Sequence, residues 1–166
     1  IVDVNGKVIG KAIRKECHAR TFILHPVVHL HVINDKGEIF LQRRPDWKQI
    51  QPGKWDTAVG GHIGYGEDIQ TALKRETVEE LGIEITTPQY ITAYNFKSSV
   101  ETERVSIYFI CYNGDINPSE ETDGGRFWAI DEIIKKTEDD NREYLDYVCY
   151  SIFNYFCDLL NKGKIK

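Results

Sequence analysis

The chain contains no methionine, not even an initiator, which fits a trimmed chain. Its four cysteines (Cys17, Cys111, Cys149 and Cys157) include no Cys-x-x-Cys pair. Without that spacing neither a disulfide framework nor a zinc knuckle is indicated, and a reducing cytoplasm is the expected location. Positive charge is scarce: 21 Lys and Arg stand against 26 Asp and Glu, for a net charge of −5. No basic stripe is available to neutralise a phosphate backbone, so no nucleic-acid partner is expected. Apolar runs are short too. None approaches the roughly 20 residues that a membrane span requires, and no secretory leader opens the chain, so no membrane role is expected.

What remains is ordinary for a globular enzyme. The 166 residues are 41% hydrophobic and 28% charged, enough for one domain over residues 1–166 with a proper core. No repeat, linker or low-complexity tract interrupts them. Strands are predicted over 7–14, after the Asn5-Gly6 turn, and over 27–33 and 38–42, joined by the hairpin signal Asn34-Asp35-Lys36-Gly37. Residues 46–54 carry Pro52-Gly53 and read as a loop, followed by a short strand over 55–59. Alternation predicts two more strands over 89–96 and 105–112. A short helix is expected over 131–136. A C-terminal helix is expected at about 140–160, with Leu145, Val148, Ile152, Phe156 and Leu159 at helical spacing.

The densest chemistry lies between Gly61 and Ile83, where Glu67, Glu76, Glu79 and Glu80 surround a Gly-rich turn and a predicted helix. Ile69, Ala72 and Leu73 share a face by the three-and-four rule, and that face continues into the glutamates. A solvated acidic helix would place its acids opposite the apolar stripe. Here the stripe runs into them, as it would where a helix leaves the core to line a cleft. Carboxylates at this density are costly without a cation among them, and a hard, oxygen-preferring ion such as Mg²⁺ fits. Arg75 lies four residues before Glu79, close enough to pair with it.

Gly61, Glu67, Arg75-Glu76, Glu79-Glu80, Gly82 and Ile83 stand at the spacing of the Nudix box, and the stretch 61–83 resembles it. The one departure is Thr77 in a slot that is usually apolar. The resemblance implies an α/β/α sandwich with a mixed sheet and a catalytic helix following the Gly-rich loop. It also implies Mg²⁺- or Mn²⁺-dependent hydrolysis of a nucleoside diphosphate derivative or related small diphosphate. Carried over by position, Glu76, Glu79 and Glu80 look like the core metal ligands. The Gly61 carbonyl joins them, Arg75 orients a carboxylate, and Glu67 is a turn or outer ligand. One glutamate serves as general base; the sequence does not identify which.

A second constellation is His18, His25, His62, Glu101 and Glu103. Strand alternation would throw Glu101 and Glu103 to one side, as two ligands of one ion require. Three imidazoles and two carboxylates suit Zn²⁺, Mn²⁺ or Fe²⁺ better than Mg²⁺. In order and spacing this set resembles the metal site of isopentenyl-diphosphate isomerase, a Nudix relative, over about residues 10–128. Arg14, Arg44 and Lys48 fall where that enzyme keeps cations for a diphosphate. Gly60 departs from it, because the isomerase carries an essential Cys just before the box glycine and glycine cannot carry a proton. The resemblance therefore implies a hydrolase of the isomerase-like branch. The alternatives are an isomerase-like enzyme and a non-catalytic ligand-binding module. Arg43, Arg44, Lys48 and Lys54 are candidates to hold phosphates, and Trp128 to stack on a base or cap the cleft. A monomer or homodimer is expected.

Overall fold

The computed structural model describes residues 1–48 and 52–138. Their elements, in chain order, are α1 (Arg14–Cys17), β1 (Leu24–Ile33), β2 (Ile39–Arg43), β3 (Trp55–Asp56), β4 (Val59–His62), α2 (Ile69–Leu81), β5 (Gln89–Lys97), β6 (Thr102–Cys111), β7 (Gly125–Trp128) and α3 (Ile130–Glu138). The strands form one mixed sheet in the order β3-β2-β1-β6-β5, with β4 also on β1 and β7 on β2. The fold is α/β. The expected C-terminal helix lies outside the described residues. No described helix is long and apolar enough to cross a membrane.

β1 is the hub. It runs parallel to β6 from Leu24↔Thr102 to Ile33↔Cys111, and antiparallel to β4 from Val27↔His62 to Leu30↔Val59. Because successive side chains alternate across a sheet, β1 feeds two layers at once. Val28, Leu30 and Val32 join Ala72, Leu73 and Leu81 of α2 in one core cluster. Val27 joins Val105 and Ile107 in another. His25, His29 and His31 share the parity of Val27, so all three stand on the face away from α2, and all are buried.

Local chemistry fixes the ends of α2. The Asp68 side chain accepts the Thr71 N–H at 3.1 Å, and Gly82 closes the helix at φ 66°, a left-handed value that other residues adopt only with strain. Thr77, the departure from the box pattern, is fully buried, and its hydroxyl donates to the Leu73 carbonyl at 2.6 Å, so the apolar layer accepts it. Ile69, expected on the buried stripe, is instead 37% exposed at the first turn; Ala72, Leu73, Thr77 and Leu81 form the buried face.

Two expectations about strands are corrected, and one strand is new. Residues 7–14 make no strand: only Val2 and Val8 pair, and Asp3 Oδ1 satisfies the Asn5 and Lys7 N–H groups locally. The strand expected over 55–59 is two strands. Asp56 Oδ1 accepts the Thr57 N–H at 2.7 Å and Thr57 Oγ1 donates to the Val59 carbonyl at 3.0 Å, so side chains take over the ladder groups and the chain bends there. β7, not anticipated, pairs with β2 from Ile39↔Trp128 to Gln42↔Gly125.

Leu73 is fully buried between α2 and β1. Leu73→Ala is expected to lower the unfolding free energy by about 2–5 kcal/mol through lost transfer energy and the cavity left behind, measured by chemical denaturation.

Candidate active site

Arg75 organises the α2 carboxylates. Its Nε and Nη2 donate to the two oxygens of Glu67 at 2.9 and 3.0 Å. Its Nη1 donates to Glu76 at 2.8 Å and to Glu79 at 3.1 Å. Nη2 also reaches the His62 carbonyl at 3.1 Å, which ties α2 to β4. Glu67 Oε2 in addition accepts the Gly64 N–H at 2.8 Å, so Glu67 braces the turn that enters the helix. The Arg75 fork holds the Glu67 carboxyl below its ordinary range. Glu76 lies directly over Gly61, where any Cβ would overlap it. Gly61 is thus required for Glu76 to occupy that place.

Glu80 is the most enclosed of the four. Its Oε2 accepts from Gln42 Nε2 at 2.8 Å and from the Gly60 N–H at 3.2 Å. Burial pushes its pKa up to about 8, and it raises that of Glu76 in the same direction. Glu76 and Glu79 thus share the Arg75 Nη1, whereas Glu80 is held apart from them by Gln42 and the Gly60 N–H; the groups of ligand atoms that meet within 4.8 Å among the described residues lie elsewhere. Burial raises the carboxyls of Glu76 and Glu80, and a hard divalent ion beside them would offset that cost.

The histidine cluster assembles on the opposite face of β1 and β4. One ligand atom each from His18, His25 and His62 lies within 4.8 Å of the others, and so do those from His25, Glu101 and Glu103. His18 Nε2 and His62 Nε2 are 3.1 Å apart, and two nitrogens each about 2 Å from one ion would stand about 3 Å apart. His18 Nδ1 contacts Glu101. His25 Nδ1 bonds the Ile23 carbonyl at 2.9 Å, which orients the ring. Among the described residues its buried Nε2 has no hydrogen-bond partner, the Glu101 and Glu103 oxygens standing 3.9 Å away. Burial lowers the pKa of all three imidazoles, that of His62 to about 3 with help from Arg14. They are therefore neutral, the form that ligates metal. Glu101 precedes β6 and Glu103 lies within it, slightly earlier than expected for that strand.

The cations divide. Arg14 and Arg44 lie close enough to Glu101 to stabilise its charge. Arg44 Nη1 pairs with Asp56 at 2.9 Å. Lys48 sits 4.7 Å from the Trp47 ring and 3.8 Å from Glu121, whose charge is felt at Glu76. Arg43 is turned to Asp46 and Asp123. Lys54 offers its carbonyl to the Arg44 N–H at 2.7 Å. Trp128 is buried, edge-on to Trp55 and beneath the Arg126 guanidinium. A cavity of about 620 Å³ lined by Arg14, His25, His62, Tyr65 and Glu67 joins the histidine cluster to the entry of α2. Sequence reasoning passed over Gln42, Asp56 and His29. Only His29 carried a signal, its parity with His25 on β1.

Comparison with known proteins bears on the family and the fold. The family described as NUDIX domain matches residues 23–148. An isopentenyl-diphosphate Delta-isomerase of Paenarthrobacter aurescens is 33% identical over 125 residues, covering 72% of this chain and 68% of the relative. An uncharacterized Nudix hydrolase of Nostoc sp. is 34% identical over 104 residues, covering 60% and 62%. Another from Streptomyces coelicolor is 31% identical over 123 residues, covering 73% and 67%. The chain thus spans about two thirds of the length of these relatives. Among solved structures, a protein of Deinococcus radiodurans superposes with a TM-score of 0.71 at 21% identity, over 84% of this chain and 87% of that one. A MutT protein of Methanosarcina mazei does so with 0.63 at 24%, over 69% and 83%. At these identities the structural likeness speaks for the fold.

The shift at Glu80 has a thermodynamic consequence. The unfolded carboxyl loses its proton near its ordinary value, about 4.3, whereas the folded one keeps it to about 8. Between these values the native state binds more protons, so the ion-free protein is expected to lose stability as pH rises from about 4.5 to about 8. Glu80→Gln should flatten that slope in denaturation series run with a chelator.

Proposed function

The chain belongs to the NUDIX family, and from that premise we propose that it is a hydrolase cleaving the diphosphate linkage of a nucleoside diphosphate derivative or related small diphosphate with Mg²⁺ or Mn²⁺. The observation that carries this is the gathering of Glu67, Glu76 and Glu79 on one arginine, with Glu76 seated over Gly61. In this reading Glu76, Glu79 and the Gly61 carbonyl hold the ion, with Glu67 fixing the turn. A divalent ion bound there supplies charge neutralisation to the phosphoryl oxygens and eases deprotonation of water. Arg75 keeps the carboxylates apart and aimed. Glu80, whose proton affinity burial brings close to neutrality, accepts the proton of the attacking water. Phosphoryl transfer rests on positioning and charge stabilisation, so the chain needs no covalent nucleophile. Arg14, Arg44 and Lys48 hold the diphosphate. His18, His25, His62, Glu101 and Glu103 hold a second ion of borderline softness (Zn²⁺, Mn²⁺ or Fe²⁺). The unit acts as a single domain.

A second reading, an isomerase-like activity on a small isoprenoid diphosphate, is favoured by the histidine cluster and by the names of several relatives. Gly60 offers it no proton carrier.

A panel of nucleotide sugars, dinucleotides, deoxynucleoside triphosphates and isopentenyl diphosphate, each with Mg²⁺ or Mn²⁺, separates the readings. Release of nucleoside monophosphate or phosphate is expected; conversion of isopentenyl to dimethylallyl diphosphate would replace the first reading by the second. Glu80→Gln is expected to lower kcat by about 10²–10⁴ without lowering Tm, and full retained activity would remove Glu80 from the chemistry. Elemental analysis of purified protein should find a transition metal that His25→Ala and His62→Ala release.

A further inference from the structure

The cavity of about 620 Å³ beside the histidine cluster falls in the range of ligand pockets, roughly 300–1,000 Å³. Val2, Val8, Pro26 and Ile63 give it an apolar body. Lys11 and Arg14 line it from the segment that leads into α1, and Tyr65 from the turn that enters α2.

That turn is held rigidly. The Gly64 N–H donates to Glu67 Oε2 at 2.8 Å, and the Glu67 N–H donates back to the Gly64 carbonyl at 3.0 Å. Arg75 grips both Glu67 oxygens. Gly66 takes φ 81°, which glycine adopts without strain. On this fixed loop Tyr65 is 74% exposed, so folding buries little of its ring. The Lys11 ammonium lies 5.7 Å from the ring centroid, within cation–π reach.

Charge separates the polar groups of the cavity into two kinds. Both acids lining it are engaged within the fold: Glu67 with Arg75 and the Gly64 N–H, and Asp68 with the Thr71 N–H and hydroxyl. His25, His62 and Cys17 on its wall are neutral, burial lowering the imidazoles and raising the thiol. Lys11 and Arg14 pair with no carboxylate within 4 Å among the described residues. Arg14 acts on Glu101 only from a distance, as Arg44 does, and less than His25 does. An apolar body, an exposed ring on a rigid turn and two cations without close counter-charges are complementary to a ring that carries an anionic group.

We propose that this cavity is a binding site for a small aromatic anion, its ring against Tyr65 and its anionic group against Lys11 and Arg14. The site is independent of the hydrolase reading: failure to turn over any diphosphate would remove that reading and leave this binding as it stands. The test is calorimetric, on the purified protein, with phenylphosphonate, cyclohexylphosphonate and methylphosphonate, which share the anion and differ in the body. Phenylphosphonate should bind at least fivefold more tightly than either of the others. Tyr65→Ala should erase that preference and Tyr65→Phe should keep it. Lys11→Ala should weaken phenylphosphonate at least threefold, and Tm should be unchanged in all three variants, whose side chains lie at the surface. Equal affinity for the three probes overturns the proposal, as does phenylphosphonate binding that Tyr65→Ala and Lys11→Ala leave unaltered, or no binding of phenylphosphonate at all. Prior saturation with inorganic pyrophosphate then distinguishes the two sources of such a ligand. Displacement of phenylphosphonate marks the aromatic end of a diphosphate, and undiminished binding marks an aromatic acid separate from it.

Discussion

The arrangement depends on one guanidinium. Arg75 gathers Glu67, Glu76 and Glu79 around itself and reaches the His62 carbonyl with a remaining N–H. Its rigid fork makes several bonds in one plane, which a lysine could not do. Because the bonds run to a turn, a helix and a strand, the relative placement of α2 and β4 is an electrostatic matter as much as a packing one. The carboxylates that repel one another are also those that Arg75 holds at fixed separation. In the proposed hydrolase reading, a divalent ion at Glu76 and Glu79 would compete with Arg75 for their charge.

The sheet separates the two ligand sets by a single residue step. Gly61 faces α2 and accommodates Glu76; His62 faces the other layer and joins His18 and His25. Period-two alternation makes this unavoidable once β4 pairs with β1 in the observed register. A slip by one residue would put His62 against α2 and a glycine into the histidine cluster, dismantling both sets together. The apolar residues of β1 protect that register, Val28, Leu30 and Val32 burying against α2 while Val27 buries on the other face.

Much of this was legible in the residues. The box from Gly61 to Ile83 announced the helix, its glutamates and its glycine stop, because those spacings are local. The hairpin at Asn34–Gly37 was equally local, with Asn34 Oδ1 accepting from Lys36 and Glu38. The histidine cluster was legible only through resemblance, since His18, His25, His62 and the β6 glutamates meet through a parallel strand pairing that no local pattern encodes. Gln42 and Asp56 could not be found this way. Their role arises because Glu80 is buried and needs a donor, and because Arg44 needs a counter-charge. The break between β3 and β4 was lost for a similar reason, the Asp56 and Thr57 side chains capturing backbone groups that strand propensity assigns to the ladder.

Burial gives both ligand sets the same preparation by opposite signs. It raises the carboxyls of Glu76 and Glu80 toward neutrality and lowers the imidazoles of His18, His25 and His62 toward neutrality. A carboxyl raised in this way would give up its proton on binding an ion, whereas a neutral imidazole has none to give. Ion uptake by the carboxylates should accordingly steepen with pH across the neutral range, and uptake by the imidazoles should stay flat there.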